Sequence, residues 1–138
     1  AAAAASAGRS ADIHVALHTG PPLRVRGSAE LLSRAIGNIL DNALKFTRPG
    51  GTITLTASTD SGAAVIRVED DGIGMTPAEL AHAFDRFWRA ETSRTTPGHG
   101  LGLALTRQIM RAHDGTIALE SQPGRGSTVT LKLPTITR

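Results

Sequence analysis

Residues 29–46 read AELLSRAIGNILDNALKF, and their apolar side chains recur at the spacing of one face of an α-helix. Ser28 precedes this run as an N-cap, and the sequence Pro-Gly-Gly at 49–51 stops it. The stretch therefore predicts an amphipathic helix from Ala29 to Phe46. The apolar residues at helical spacing are Leu32, Ala35, Ile36, Ile39, Leu40 and Ala43.

Strands are predicted on both sides of this helix. Residues 13–17 alternate between apolar and polar side chains, and residues 23–25 follow a Gly-Pro-Pro break, which predicts two short strands before the helix. After the helix, residues 52–59 and 64–70 predict a hairpin that turns at residues 60–62.

The second half of the chain continues this mixture of elements. The Thr-Pro pair at 76–77 has the pattern of a capped helix start, and residues 84–100 form a long connection without periodicity. A third helix is predicted over residues 101–113, followed by strands over 116–120 and 128–133. This order predicts an α+β fold in which a sheet is covered by helices on one face.

The composition restricts the kinds of protein that this chain can be. A chain of 138 residues with 40% apolar residues is expected to form one domain. The net charge is +3 and the basic residues are scattered, which predicts no nucleic-acid partner, and the absence of cysteine excludes disulfides and thiolate zinc sites. No apolar run reaches the ~20 residues of a membrane span. Residues 1–10 are expected to be a linker or an expression remnant, and residues 11–138 the domain.

Three polar side chains of the first helix, Asn38, Asn42 and Lys45, stand at i, i+4 and i+7 and therefore line one stripe. A carboxamide oxygen is a neutral ligand suited to Mg²⁺, which is commonly shared with substrate phosphates, and a nearby lysine meets phosphate charge. A solvated helix face has the same spacing, because surface helices usually carry a polar stripe. The stripe alone leaves both interpretations open.

Residues 68–75, VEDDGIGM, place a carboxylate at a strand end and two glycines after it. Glycine permits close approach of a ligand to the backbone, and the Asp70 carboxylate can accept a hydrogen bond from an exocyclic amine such as that of adenine. The alternative is an ordinary turn in which the aspartate acts as a cap.

Two more glycine clusters follow. Residues 98–103, GHGLGL, open a helix, and the backbone N–H groups at a helix start suit a polyphosphate. A flexible hinge explains the same glycines. Residues 124–128, GRGST, are by themselves typical of a hairpin turn.

The order of these segments is more specific than any one of them. The asparagine stripe, Asp-x-Gly-x-Gly, the sequence FDRFWR at 84–89, Gly-x-Gly-Leu-Gly-Leu and Gly-x-Gly-Ser-Thr follow one another in this chain. Together they resemble the catalytic and ATP-binding domain of bacterial sensor histidine kinases, in the superfamily shared with gyrase, the ninety-kilodalton heat-shock chaperone and the mismatch-repair ATPases. The resemblance covers residues 12–134 and implies an α/β sandwich of the Bergerat ATP-binding type with a flexible ATP lid. In this fold a mixed, mostly antiparallel sheet of about five strands is covered on one face by about three helices.

The resemblance also implies roles for single residues. Asn42 matches the asparagine that holds magnesium, and Asp70 matches the carboxylate that reads the adenine amino group. The implied catalytic residues are Asn38, Lys45 and two lid or near-lid arginines, Arg89 and Arg94. The residues implied to contact the nucleotide are Asn38, Asn42, Lys45, Phe46, Asp70, Gly72, Ile73, Gly74, Met75, Gly98, His99, Gly100, Leu101, Gly102 and Thr128, the last of them near the base.

Several positions depart from the family pattern. Phe46 stands where a tyrosine is common, and His99 stands where a small hydroxyl residue is common. Hydrolysing members resemble one another in a glutamate at the position of Asn38, and an amide cannot act as a general base, so hydrolysis is disfavoured. None of the five histidines lies in a His-Glu or His-Asp pattern of the phosphoacceptor kind, and each is expected to be a satisfied surface or core histidine.

The implied function is transfer of the γ-phosphoryl group of Mg-ATP to a histidine on a partner dimerisation and phosphoacceptor domain of the same parent kinase. The phosphate then passes to a cognate response regulator. The domain alone is expected to be monomeric and cytoplasmic, and the parent a homodimer anchored in the bacterial cytoplasmic membrane. The alternatives are a nucleotide-sensing interaction module, which Lys45, Arg89 and Arg94 disfavour, and an anti-sigma type serine kinase of the same superfamily, which the Phe-x-Arg-Phe-Trp-Arg text disfavours.

Overall fold

The computed structural model describes residues 14–19, 24–84 and 102–135 of the chain. Within these ranges it contains five strands and three helices. In chain order they are β1 (His14–Thr19), α1 (Ala29–Phe46), β2 (Thr52–Asp60), β3 (Ala63–Asp70), α2 (Pro77–Ala81), α3 (Gly102–Ala112), β4 (Thr116–Gln122) and β5 (Gly126–Pro134).

The described strands form one sheet in the order β1-β2-β3-β5-β4. β1 pairs with β2 in parallel, and the other neighbours pair antiparallel, which confirms the predicted mixed sheet. The prediction of a strand over residues 23–25 was wrong for its described part. There Val25 makes an isolated bridge to Thr135, and the chain then turns at Gly27 and enters α1 at Ala29, which leaves no length for a ladder.

One face of the sheet is apolar because side chains alternate along each strand and the strand register aligns the apolar ones. Val68 of β3 pairs with Leu55 of β2 and Val129 of β5. The helices cover this face: Ile39 of α1 and Met110 of α3 are buried in the same cluster as Val68 and Val129. Burial of an apolar side chain of this size stabilises a fold by about 1.5–3 kcal/mol. The opposite face carries polar residues such as Thr54, Arg67 and Lys132.

Helix α1 has the predicted bounds because both of its ends are capped by hydroxyl side chains. The Ser28 Oγ accepts a hydrogen bond from the Leu31 N–H at 3.1 Å. At the other end, the buried Thr47 donates from both its N–H (3.0 Å) and its hydroxyl (2.6 Å) to the Ala43 carbonyl oxygen. No helix among the described residues combines the length and the apolarity that a membrane span needs.

His113, just after α3, ties that helix to the start of α1. Its Nδ1 lies 2.7 Å from the Ile109 carbonyl oxygen, and its Nε2 accepts a hydrogen bond from the Ser28 N–H at 3.1 Å. The carbonyl needs a donor and the N–H needs an acceptor, so the ring is the neutral tautomer protonated at Nδ1. The imidazole packs so closely on Gly27 that a Cβ there would overlap it. The expectation of a satisfied histidine is confirmed at this position.

Gly27, which precedes the N-cap of α1, and Gly37, in the middle of α1, give a matched test of this packing. We expect Gly27→Ala to lower the free energy of unfolding by about 1–3 kcal/mol, because the new methyl displaces the His113 ring. Gly37→Ala should instead raise it by about 0.5–1 kcal/mol, because alanine favours a helix interior and a Cβ at Gly37 meets nothing within 4 Å. Urea unfolding followed by circular dichroism measures both, and equal effects of the two substitutions would contradict the packing described here.

Candidate nucleotide-binding site

The segment 71–75, which leaves β3, is held from both sides by backbone hydrogen bonds. The Ile73 N–H donates to the carbonyl oxygen of Phe46, the last residue of α1, at 3.2 Å. The Ile73 carbonyl oxygen accepts from the N–H of Gly124, in the turn between β4 and β5, at 2.8 Å. Three segments singled out in the sequence therefore meet at one end of the sheet.

Glycine is required at two positions of this segment by the backbone of its neighbours. A Cβ on Gly72 would overlap the carbonyl oxygen of Phe46, and a Cβ on Gly74 would overlap that of Gln122. Gly74 also has a φ of 70°, in the region that residues with a Cβ rarely adopt. The sequence interpretation assigned these glycines to the approach of a base. In the structure, glycine is needed at both positions because this segment lies in close contact with α1 and β4.

Asp70 is a half-buried carboxylate at the carboxyl end of β3. Burial raises its pKa above the ordinary value of 3.8, and the charge of Asp71 acts in the same direction, whereas hydrogen bonds from the backbone N–H groups of Gly72 and Ser127 oppose the shift. The Gly72 N–H lies 2.9 Å from Oδ1. Asp70 thus makes the local turn contact that was the alternative to a base-reading role. A carboxylate has about four acceptor sites, so this contact is compatible with a ligand.

The register of the last hairpin brings serines to Asp70. Asp70 pairs with Ser127, and Ser127 pairs with Ser121 on β4, so these three residues share the apolar face of the sheet. Thr128, the residue that the motif implied near the base, pairs with Glu69, which places its side chain on the face of the sheet opposite to Asp70. Sequence reasoning missed both serines. The alternation of the buried residues Val129, Leu131 and Leu133 contained the signal, because it orients Ser127 inward and Thr128 outward.

The polar stripe of α1 lies beside this end of the sheet. Asn38, Asn42 and Lys45 are half-buried rather than fully solvated. The Asn38 amide nitrogen is 3.5 Å from the hydroxyl of Thr106, a fully buried residue of α3. At the other end of the stripe, the Lys45 Nζ lies 5.8 Å from the centre of the Phe46 ring. The stripe therefore extends from the contact with α3 at Asn38 to Phe46, whose carbonyl oxygen binds the Ile73 N–H.

The remaining predicted site residues fall largely outside the described chain. Gly102 begins α3, whereas Arg89, Arg94, Gly98, His99, Gly100 and Leu101 lie outside the described residues. At the edge of the gap, the Arg107 guanidinium lies 5.0 Å from the centre of the Phe84 ring, which joins the start of the FDRFWR text to α3. Within the described ranges, no group of three or more histidine, aspartate or glutamate side chains is arranged to hold a metal ion.

Comparisons with known proteins give the same family in sequence and in structure. The family model described as histidine kinase-, DNA gyrase B- and HSP90-like ATPase matches residues 27–137. The sensor-like histidine kinase SenX3 of Mycobacterium tuberculosis is 39% identical over 129 residues, which are 92% of this chain and 32% of that protein.

Two solved structures are similar over nearly the whole chain. The mycobacterial sensor histidine kinase MprB superimposes with a TM-score of 0.85 at 33% identity, covering 97% of this chain and 91% of that one. Full-length ShkA in complex with AMPPNP superimposes with a TM-score of 0.83 at 28% identity, covering 99% of this chain and 29% of that one.

The chain spans about a third of the length of the curated relative SenX3, at 32%. The residues matched by the family model include both the asparagine stripe and the Asp70 segment. The sequence relative and the solved structures agree with this family. The chain belongs to the family of histidine kinase-, DNA gyrase B- and HSP90-like ATPases, within which it is the ATP-binding catalytic domain of a bacterial sensor histidine kinase.

Proposed function

We propose that the domain binds Mg-ATP between α1, the Asp70 end of β3 and the start of α3, and transfers the γ-phosphoryl group to a histidine of another domain. The single observation that supports this site best is the convergence of a half-buried carboxylate and a half-buried amide and lysine stripe at one end of the sheet. The first suits an adenine amino group and the second suits phosphates.

The carboxylate explains selection of the base. Adenine carries an N6 amino donor where guanine carries an O6 acceptor. An ionised Asp70 accepts from the first and repels the second, and a buried polar mismatch of this kind is strongly unfavourable. The hydrogen bonds from the Gly72 and Ser127 N–H groups favour the ionised form, although burial opposes it.

The amides of α1 fit a magnesium ion that is shared with phosphates. Because the described residues contain no cluster of three acidic or histidine side chains, a protein cage is not the arrangement that they support. The Asn42 amide oxygen would be a ligand of Mg²⁺, which usually keeps several waters in proteins and would neutralise phosphate charge when bound. Asn38 and Lys45 flank Asn42 on the same stripe and would meet the phosphate oxygens, with Arg89 and Arg94 proposed as further cations.

Phosphoryl transfer requires little covalent chemistry from the domain itself. Most of the rate comes from positioning and from neutralising charge, so the nucleophilic imidazole is the group that must be supplied. We propose that it comes from a dimerisation and phosphoacceptor domain in a dimeric, membrane-anchored parent, and that a response regulator receives the phosphate. Asn38 cannot act as a general base toward water, which favours transfer over hydrolysis.

Asn42 can be tested by removing its amide. We expect Asn42→Ala to lower transfer to the parent's phosphoacceptor domain by at least about 10–100-fold, because losses of this size follow even when only an outer partner of a metal site is removed. Circular dichroism should be unchanged, because the residue is not part of the core cluster. Ser33→Ala, on the exposed side of the same helix, is the matched control. An Asn42→Ala protein that is folded and transfers at the wild-type rate would remove Asn42 from the magnesium site.

The base-reading role of Asp70 can be tested by nucleotide competition. Asp70→Asn loses the charge and can turn its amide to donate, so ATP affinity and the preference for ATP over GTP should both fall. Asp60→Asn removes an exposed carboxylate at the other end of β2 and should leave the preference unchanged. Wild-type discrimination in a folded Asp70→Asn protein would make Asp70 a turn cap alone.

The same substitution has an opposite effect on stability without nucleotide. The pKa of Asp70 is raised in the folded state, so its contribution to stability is full below the ordinary value of 3.8 and is lost as the pH rises through the raised value. At pH 7 the ionised side chain therefore costs stability, and Asp70→Asn should shift the urea midpoint upward. The gain should shrink as the pH falls from the raised value towards the ordinary value of 3.8, because the folded wild type becomes protonated over this range, and it should be absent below 3.8. Asp41→Asn, at an exposed position of α1, is the control, and a lower midpoint for Asp70→Asn at pH 7 would mark its carboxylate as structurally required.

A further inference from the structure

We propose that Ser121 is a positioning residue that fixes the Ser127 hydroxyl as a hydrogen-bond acceptor beside Asp70, so that the site presents two neighbouring acceptors to the base. The inference rests on the proposed nucleotide site and deepens it, because it assigns base specificity to a residue that has no motif role. Its basis is the hydrogen bonding of one hydroxyl group.

The Ser121 Oγ has three polar neighbours at short distance. The Met75 N–H donates to it at 2.8 Å. The carbonyl oxygen of Gly126 lies 2.9 Å from it, and the Ser127 Oγ lies 2.8 Å from it. All three contacts are partly buried. Ser121 therefore joins the segment after β3 to the β4–β5 hairpin.

A serine hydroxyl has one proton and two lone pairs, and this restricts how the three contacts can be made. The Met75 N–H can only donate, so it uses one lone pair of Ser121. The Gly126 carbonyl can only accept, so it uses the single proton. The contact with Ser127 is then satisfied in one direction, in which the Ser127 hydroxyl donates to the remaining lone pair of Ser121.

This arrangement decides what Ser127 offers to a ligand. Its proton is engaged by Ser121, so its oxygen faces other groups as an acceptor. Ser127 is the strand partner of Asp70, and its own N–H donates to the Asp70 carboxylate. Two acceptors side by side suit an amino group, which has two hydrogens, and repel a carbonyl oxygen at the same place. The site would therefore reject a base with a 6-oxo group more strongly than Asp70 alone would.

Inosine triphosphate is the cleanest probe of this inference, because it exchanges the amino group of ATP for a carbonyl and lacks the 2-amino group of GTP. In the 138-residue chain, Ser121→Ala removes the partner that holds the Ser127 proton. The freed hydroxyl can then donate to the 6-oxo group. We expect the ratio of ATP affinity to ITP affinity, measured by calorimetry with Mg²⁺, to fall about three- to tenfold, the range of one neutral hydrogen bond.

The double variant separates positioning from general loosening of the hairpin. With Ser127→Ala already present, Ser121→Ala should change the ATP-to-ITP ratio no further, because no hydroxyl remains to be oriented. Ser58→Ala, at an exposed position of β2, should leave the ratio at its wild-type value. An unchanged ratio in folded Ser121→Ala, or an equal fall with and without the Ser127 hydroxyl, would overturn the proposal.

Ser127→Ala alone tests the same orientation if Ser121→Ala does not fold, because it leaves the Met75 and Gly126 contacts of Ser121 in place. ATP affinity should fall about three- to tenfold while ITP affinity stays unchanged or rises. Equal losses for both nucleotides would mean that Ser127 was not held as an acceptor, and would overturn the inference while the ATP site stands. A wild-type chain that does not bind Mg-ATP would remove the proposed function as well.

Discussion

The two backbone hydrogen bonds of Ile73 are the constraint on which the candidate site depends. Its N–H is held by the carbonyl oxygen at the end of α1, and its own carbonyl is held by the turn between β4 and β5. Residues far apart in sequence are brought to one end of the sheet by these bonds. The approach is so close that Gly72 and Gly74 have no room for a Cβ. These glycines are therefore required by the packing of the protein itself. A ligand would depend on them indirectly, because they permit the close contact of this segment with α1 and β4.

Much of the fold could be predicted from the sequence because its signals are local. The bounds of α1 follow from apolar spacing and from hydroxyl and proline signals that lie within a few residues of each end. The capped start of α2 is local in the same way, since Thr76 and Glu79 satisfy each other's backbone N–H groups. The parallel pairing of β1 with β2 is not local, because α1 separates the two strands in the chain. Val25 shows the same limit, as its single bridge partner, Thr135, is near the other end of the sequence.

The residues of the candidate site also differ in whether local sequence patterns reveal them. Asp70 and the asparagine stripe were found because each motif is contiguous or has helical spacing. Ser121 was missed because its importance arises from three contacts that exist only after β3, β4 and β5 have paired. Thr128 is a different case, since a motif was followed to its last residue when strand alternation already favoured Ser127 as the side chain on the face of Asp70. Within this motif, the alternation of side chains along the strand indicates which residue lies on the face of Asp70 more directly than the motif does.

The environment of Asp70 connects the stability of the domain to its ligand. Burial disfavours the ionised carboxylate, and the backbone N–H groups of Gly72 and Ser127 offset only part of that cost, because the net shift of its pKa is upward. A ligand amino group would add a hydrogen-bond donor to the ionised form, which favours that form. The bound state should therefore draw the pKa of Asp70 back down, and by linkage the nucleotide should bind better as the pH rises through the raised value. The ionised Asp70 carboxylate thus destabilises the free domain at neutral pH, and a hydrogen bond from the base would offset part of that cost in the bound state.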